Sequence, residues 1–276
     1  MLFKFALTLH NDDMNTLTIR ISQNKIIFCN YDRLQSLSPD YEIHDNDPDI
    51  SLNANIHKAI KSLSLPQTNS SFIEACCVGH TTLVPLNEFE EEYVDDIYFF
   101  NYPTLKGNNK VFYDTLPYLN ALLLFSIDKG VCHSLKETYP QIKFHSTLTP
   151  VIQQFASRYP FSTTKPRLYC YMDENKQTII VIKEGKPAFV NTYSIHNPDD
   201  ALYYIAAVSQ SIELALKDDK IYLCGDTGLS QHINSQLSKI GAQGFVMDDR
   251  EELSRHPVAL VDQFPYDLKV QLLKAF

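Results

Sequence analysis

From residue 167 to 193, apolar and polar positions fall into three short β-rich runs, 167–173, 177–183 and 187–193. Asp173-Glu174-Asn175-Lys176 and Glu184-Gly185-Lys186 separate them, a spacing short enough to force antiparallel neighbours. A helix is predicted next. Asn197 is its N-cap, Pro198 its first residue, Asp199 and Asp200 oppose its dipole, and Leu202, Ile205, Ser209, Ile212 and Leu216 form its inward stripe. The run 220–224 is apolar in the middle, as a buried parallel strand should be. Gly225-Asp226-Thr227-Gly228 turns it into a helix with stripe Leu229, Ile233, Leu237 and Ile240, ended by Gly241. A last strand at 243–247 and a helix at 266–276 complete the pattern.

The first half opens in the same way, with predicted strands at 5–10, 17–22 and 25–31. A polar insertion at about 32–52 precedes a helix over 54–63, with stripe Ile56, Ala59, Ile60 and Leu63. The pattern then predicts strands at 71–78, 98–101 and 110–114, a helix over 116–126, a strand at 142–145 and a helix from Thr149 to Tyr159. Two prolines and three Ser/Thr in 158–166 mark a boundary between lobes 1–162 and 163–276. Sliding the chain by 161 positions superimposes residues 7–30 on 168–191 with seven identities in 24 positions, Asp12 on Asp173 among them. Average amino-acid usage gives about one or two. The chain therefore reads as an internal duplication.

Composition narrows the function classes. The chain has 276 residues, 44% hydrophobic, with a net charge of −9. That balance and the lack of a Lys/Arg run disfavour a nucleic-acid binder. The apolar run 116–127 is broken by Pro117, Asn120 and Ser126, so no membrane span is expected. The N-terminus lacks a signal-peptide pattern. Six cysteines without a Cys-x-x-Cys pair agree with a cytoplasmic protein.

A three-strand meander extended by parallel strands through helical crossovers is the ribonuclease H-like order. Two such units resemble the actin-like ATPase fold: α/β, two ribonuclease H-like lobes, each a mixed sheet. More narrowly, the run Thr82-Leu83-Val84-Pro85-Leu86-Asn87-Glu88-Phe89 followed by Tyr98-Phe99-Phe100-Asn101 resembles a bacterial family of uncharacterised proteins with this fold. The resemblance implies a nucleotide cleft between the lobes. An Asp-x-Gly turn between the first two strands of each lobe would there admit phosphates, and glycines after the fourth strand of the second lobe would contact adenine.

Set against that pattern, Asp12-Asp13-Met14-Asn15 and Asp173-Glu174-Asn175-Lys176 each keep the first Asp and lack the Gly. Asp12 and Asp173, with Gly225, Asp226 and Gly228, are the candidate cofactor-binding residues. Each also has a plain structural role, since Asp suits hairpin turns and Gly with an Asp cap suits a strand-to-helix turn. The missing glycines predict at most a vestigial ATP/Mg site and no ATP hydrolysis. The leading expectation is a non-catalytic protein-interaction or assembly factor with an unknown protein partner, and homodimerisation is a further option.

A nucleotide-binding or phosphotransfer ATPase with divergent loops is the alternative. A ribonuclease H-like nuclease using Asp173, Glu213 and Asp226 ranks third. Asp45-Asn46-Asp47-Pro48-Asp49 fails as a calcium loop, having Ile50 and Ile56 at its sixth and twelfth positions. Cys76-Cys77-x-x-His80 and Cys132-His133 lack zinc-site spacing, so no metal site is expected. The acidic run 88–96 reads as a solvated face or a docking surface for a basic partner. Tyr93, Tyr98, Phe99, Phe100, Tyr102 and Phe112 read as core or as exposed anchors.

Overall fold

A computed structural model describes residues 15–32, 38–65, 72–158 and 165–273. The predicted strand at 5–10, Asp12 and most of the 158–166 boundary lie outside these residues.

Two five-stranded sheets share one topology. The first runs β3(Asp40–Asp45)-β2(Lys25–Asp32)-β1(Asn15–Ile21)-β4(Phe72–Cys77)-β8(Lys143–Ser146). The second runs β11(Lys186–Ser194)-β10(Lys176–Lys183)-β9(Arg167–Asp173)-β12(Lys220–Gly225)-β13(Gln243–Val246). In each, three antiparallel strands continue into two parallel ones. Helices α1(Leu52–Ser62) and α3(Lys129–Thr138) cover one face of the first sheet; α5(Pro198–Ser211) and α6(Thr227–Lys239) cover one face of the second. These are the two ribonuclease H-like halves of an actin-like ATPase fold.

The central strands are buried on both faces, and one face of each is apolar. Along β1, Leu17, Ile19 and Ile21 enter the core with Ile56, Val131 and Leu135. In β2, Ile26 and Phe28 do the same, while Ile27, Cys29 and Tyr31 point to the opposite face. That opposite face is covered by α8(Tyr266–Leu273), through Leu268 and Leu272. Conversely, α4(Leu148–Ser157), which follows β8, packs Val151, Ile152 and Phe155 on Tyr169, Tyr171, Ile180 and Ile182 of the second sheet. Each half thus ends in a helix that lies in the core of the other.

Four sequence expectations are corrected. The polar stretch 32–52 is not an insertion, because Asp40–Asp45 within it is β3, the third strand of the meander. The real insertion lies between β4 and α3. It is a three-stranded sheet, β5(Thr81–Pro85)-β7(Ala121–Asp128)-β6(Asn109–Leu116), covered by α2(Val94–Asn101). Residues 98–101, expected as strand, close that helix, with Val94 and Tyr98 one turn apart and both buried. Residues 121–126, expected as helix, are strand β7, where every residue but Asp128 is buried and no period survives.

The fourth correction concerns the duplication. The halves are duplicated in topology, but β1 takes the place of β9, not of β10 as the 161-residue slide requires. The turn equivalent to Asp173–Lys176 is Ser22–Lys25. Ile21 O accepts from Val78 N as Met172 O accepts from Asp226 N, which sets the shift at 151 positions (22 to 173). Ser22, rather than Asp12, is the counterpart of Asp173.

Candidate functional site

The turn after β9 is a two-residue hairpin. Glu174 (φ 46°) and Asn175 (φ 60°) both adopt left-handed backbone, as a turn matching strand twist requires. After β12, Gly225 (φ +95°) brings the chain against β9: a Cβ there would stand 1.9 Å from Met172 O. Asp226 then caps α6 by accepting from Leu229 N at 2.8 Å. These two turns open on a cavity of 640 Å³, lined by Asp173, Glu174, Gly225, Asp226 and Thr227 from the second sheet. The remaining wall includes the 246–250 segment after β13, with α7(Asp249–Glu252), residues 262–266, Lys269 of α8 and Lys25 of the first sheet. Asp173, Gly225 and Asp226 are therefore brought together; Gly228, in the first turn of α6, is not part of the wall.

The centre of the interface between the halves is Arg20, which the sequence reading missed. It occupies the β1 face turned away from Ile19 and Ile21 and is fully buried. Its Nε and Nη2 donate to the two carboxylate oxygens of Asp267 at 2.8 and 2.9 Å, a bidentate pair. Nη2 also donates to Asp173 at 2.5 Å, and Nη1 lies 3.7 Å from Glu174. One turn over, Ser22 Oγ donates to Glu174 at 2.6 Å. Glu74 of β4 accepts from Thr18 Oγ1 at 2.7 Å and from Gln271 of α8 at 3.0 Å. The only hint of this in the sequence is an arginine between two isoleucines of a buried strand.

One guanidinium faces three carboxylates. Burial pushes the Asp173 carboxyl up to about 6; Arg20 opposes the rise, while Asp267 and Glu174 add to it. Along the cavity wall, Lys269 pairs with Asp249 at 2.5 Å and Arg250 with Asp262 at 2.6 Å. Six carboxylates and three cationic side chains line the cavity, a net negative surface.

A metal-bound triphosphate does not fit these residues. Neither hairpin has a glycine, their side chains bond each other across the interface, and Nε and Nη2 of Arg20 are taken by Asp267 and Asp173, leaving only its buried Nη1 without a hydrogen-bond partner. Gly225 is required by the close approach of Met172 O. Among the described residues, no three His, Cys, Asp or Glu side chains converge as metal ligands. Glu213 is exposed beyond the end of α5 and away from the cavity wall, so the nuclease trio is not assembled. Of the aromatic cluster, Tyr98 and Phe99 are core, Tyr102 and Phe112 half-buried, and Tyr93 and Phe100 exposed. Among the described residues, no helix is long and apolar enough to cross a membrane.

Comparison with curated proteins gives no match. Among solved structures, the chain is similar to a Bacteroides thetaiotaomicron protein described as having an actin-like ATPase fold and unknown function. The TM-score is 0.79 at 21% identity, over 98% of this chain and 100% of that one. A PilM–PilN type IV pilus biogenesis complex matches with TM-score 0.48 and 10% identity, over 94% of this chain and 99% of that one. The ethanolamine utilization protein EutJ from Carboxydothermus hydrogenoformans matches with TM-score 0.43 and 9% identity, over 93% and 89%. A family model covers residues 5–240, and the chain belongs to that family, described as protein of unknown function (DUF3822).

Proposed function

We propose that this chain is a non-catalytic interaction or assembly protein that keeps the actin-like scaffold and has closed its phosphate site. One observation carries the reading: the hairpins that grip phosphates in ATPases of this fold are here bonded to each other, Ser22 to Glu174. Arg20 fills the adjoining space between Asp173 and Asp267. A phosphate entering there must break charge-assisted bonds and approach three carboxylates. What such a protein offers partners is surface, since a fold does not by itself fix function.

The test is a thermal-shift titration with ATP, ADP and Mg²⁺. A ligand at 100 times its Kd stabilises by about 2.7 kcal/mol, several degrees of melting temperature. The expected result is no shift. A shift abolished by Asp173→Ala would instead support the second reading, a nucleotide-binding or phosphotransfer enzyme. The 640 Å³ cavity, within the size range of small-molecule sites, favours that reading.

A further inference from the structure

The insertion between β4 and α3 carries exposed aromatic side chains beside a run of acids. On α2 and the turn before it, Tyr93, Asp96 and Phe100 are spaced i, i+3 and i+7, so they share the face turned from the insertion core. Phe100 is 86% exposed and Tyr93 49%. Tyr113 of β6, 41% exposed, stacks edge-on against Phe89 at 5.1 Å and donates to Glu91, and Leu86, whose carbonyl accepts from Phe89 N, is 45% exposed. Isolated surface aromatics are ordinary, but a rimmed group of this kind marks a contact site.

The rim has one sign. Glu88, Glu90, Glu91, Glu92, Asp95 and Asp96 fall within nine residues, and the chain has no lysine or arginine between Lys61 and Lys106. Among the described residues, none of the six lies within ion-pair distance of a cation. By contrast, the acidic cavity wall has Arg250 and Lys269 engaged. The insertion thus presents uncompensated negative charge around exposed rings.

We infer that this face docks a cationic amphipathic segment of a partner protein, with apolar residues seated among Leu86, Tyr93 and Phe100 and Lys or Arg side chains meeting the acidic rim. Guanidinium and ammonium groups gain both from the carboxylates and from the faces of Tyr93 and Phe100. The mode is an amphipathic helix laid on an apolar patch, read by anchors at helical spacing. The inference rests on the interaction reading and names the partner's chemistry.

The test places a photo-crosslinking benzoylphenylalanine at position 100 of the full chain in its own cells, with position 203 on α5 as reference, Tyr203 being exposed as well. The expected crosslinked peptide from position 100 has net positive charge, with apolar residues at helical spacing. Glu91→Lys with Glu92→Lys should lower its yield at least five-fold. A crosslinked segment without net positive charge, or a yield unmoved by the charge reversal, overturns the proposal. Crosslinks at 203 and none at 100 overturn this face while leaving an interaction role standing. No crosslink at either position also overturns it; the interaction reading then falls only if the nucleotide titration gives a shift.

Discussion

Ser22 and Glu174 lie 152 residues apart in sequence and share a 2.6 Å hydrogen bond that ties the first hairpin of one sheet to the first hairpin of the other. Behind it, Arg20 makes the same connection with full charges. The energetics of that interface give the first predictions.

Arg20→Met removes the one cation facing buried Asp267 and largely buried Asp173. Leaving carboxylates unpaired costs about 3–5 kcal/mol, read as a lower urea midpoint with unchanged slope. Adding Asp267→Asn should recover part of the loss. A midpoint within experimental error of wild type would show that the pair carries no net stability.

Raising pH should weaken the fold between about pH 4 and 6. The folded carboxyl of Asp173 titrates near 6, above its unfolded value, so its stabilising contribution is full below about pH 4 and is lost as pH rises through 6. The change is of the order of 2–3 kcal/mol. Asp173→Asn should remove this slope. Melting curves across about pH 3.5–7 for both proteins decide it, and equal slopes would refute the assignment to Asp173.

The two glycines of the 225–228 turn should respond oppositely. Gly225→Ala meets Met172 O at 1.9 Å in left-handed backbone and should destabilise by more than about 2 kcal/mol. Gly228→Ala meets only Asp226 Oδ1 at 3.5 Å in helical backbone and should be neutral or stabilising, by up to about 1 kcal/mol. Thermal melting separates them. A Gly228→Ala as harmful as Gly225→Ala would point to a role beyond packing.

Asp114 on β6 holds the insertion to the first sheet and α4. It accepts from His145 Nδ1 at 2.8 Å, Ser146 N at 2.8 Å and Thr149 Oγ1 at 2.6 Å. Burial lowers the His145 pKa, but the hydrogen bond and charge of Asp114 outweigh it, and the net shift is upward. Its stabilising contribution is therefore present below pH 6.5 and lost as pH rises through the folded value. In Asp114→Asn, an NMR titration should find the His145 value lowered, with a loss of about 2–4 kcal/mol in stability. An unmoved His145 titration would contradict the pairing.

Local chemistry was legible in the sequence where a signal sits within a few residues. The Asn197 N-cap, the 173–176 turn and the Gly225 bend were each read from neighbours along the chain. Where packing overrides local pattern, the reading failed. In β7, Leu122, Leu123, Leu124 and Phe125 are all buried, so neither a two-residue nor a 3.6-residue period remains. In α2 a run of aromatics favours strand, and burial of Val94 and Tyr98 against β5 and β7 decides for helix. Identities scattered over 24 positions aligned β1 with the wrong strand, because apolar strands resemble one another in any register. Arg20 was invisible for a different reason: its main partner, Asp267, is 247 residues away.

The exchange of α4 and α8 carries a lesson about engineering. A fragment ending at residue 162 would leave Val151, Ile152 and Phe155 without the sheet they cover, and would strip Ile27, Cys29 and Tyr31 of their lid. The reciprocal fragment would suffer the mirror defect. Two halves of like topology thus form an interlocked whole, in which neither can be cut free.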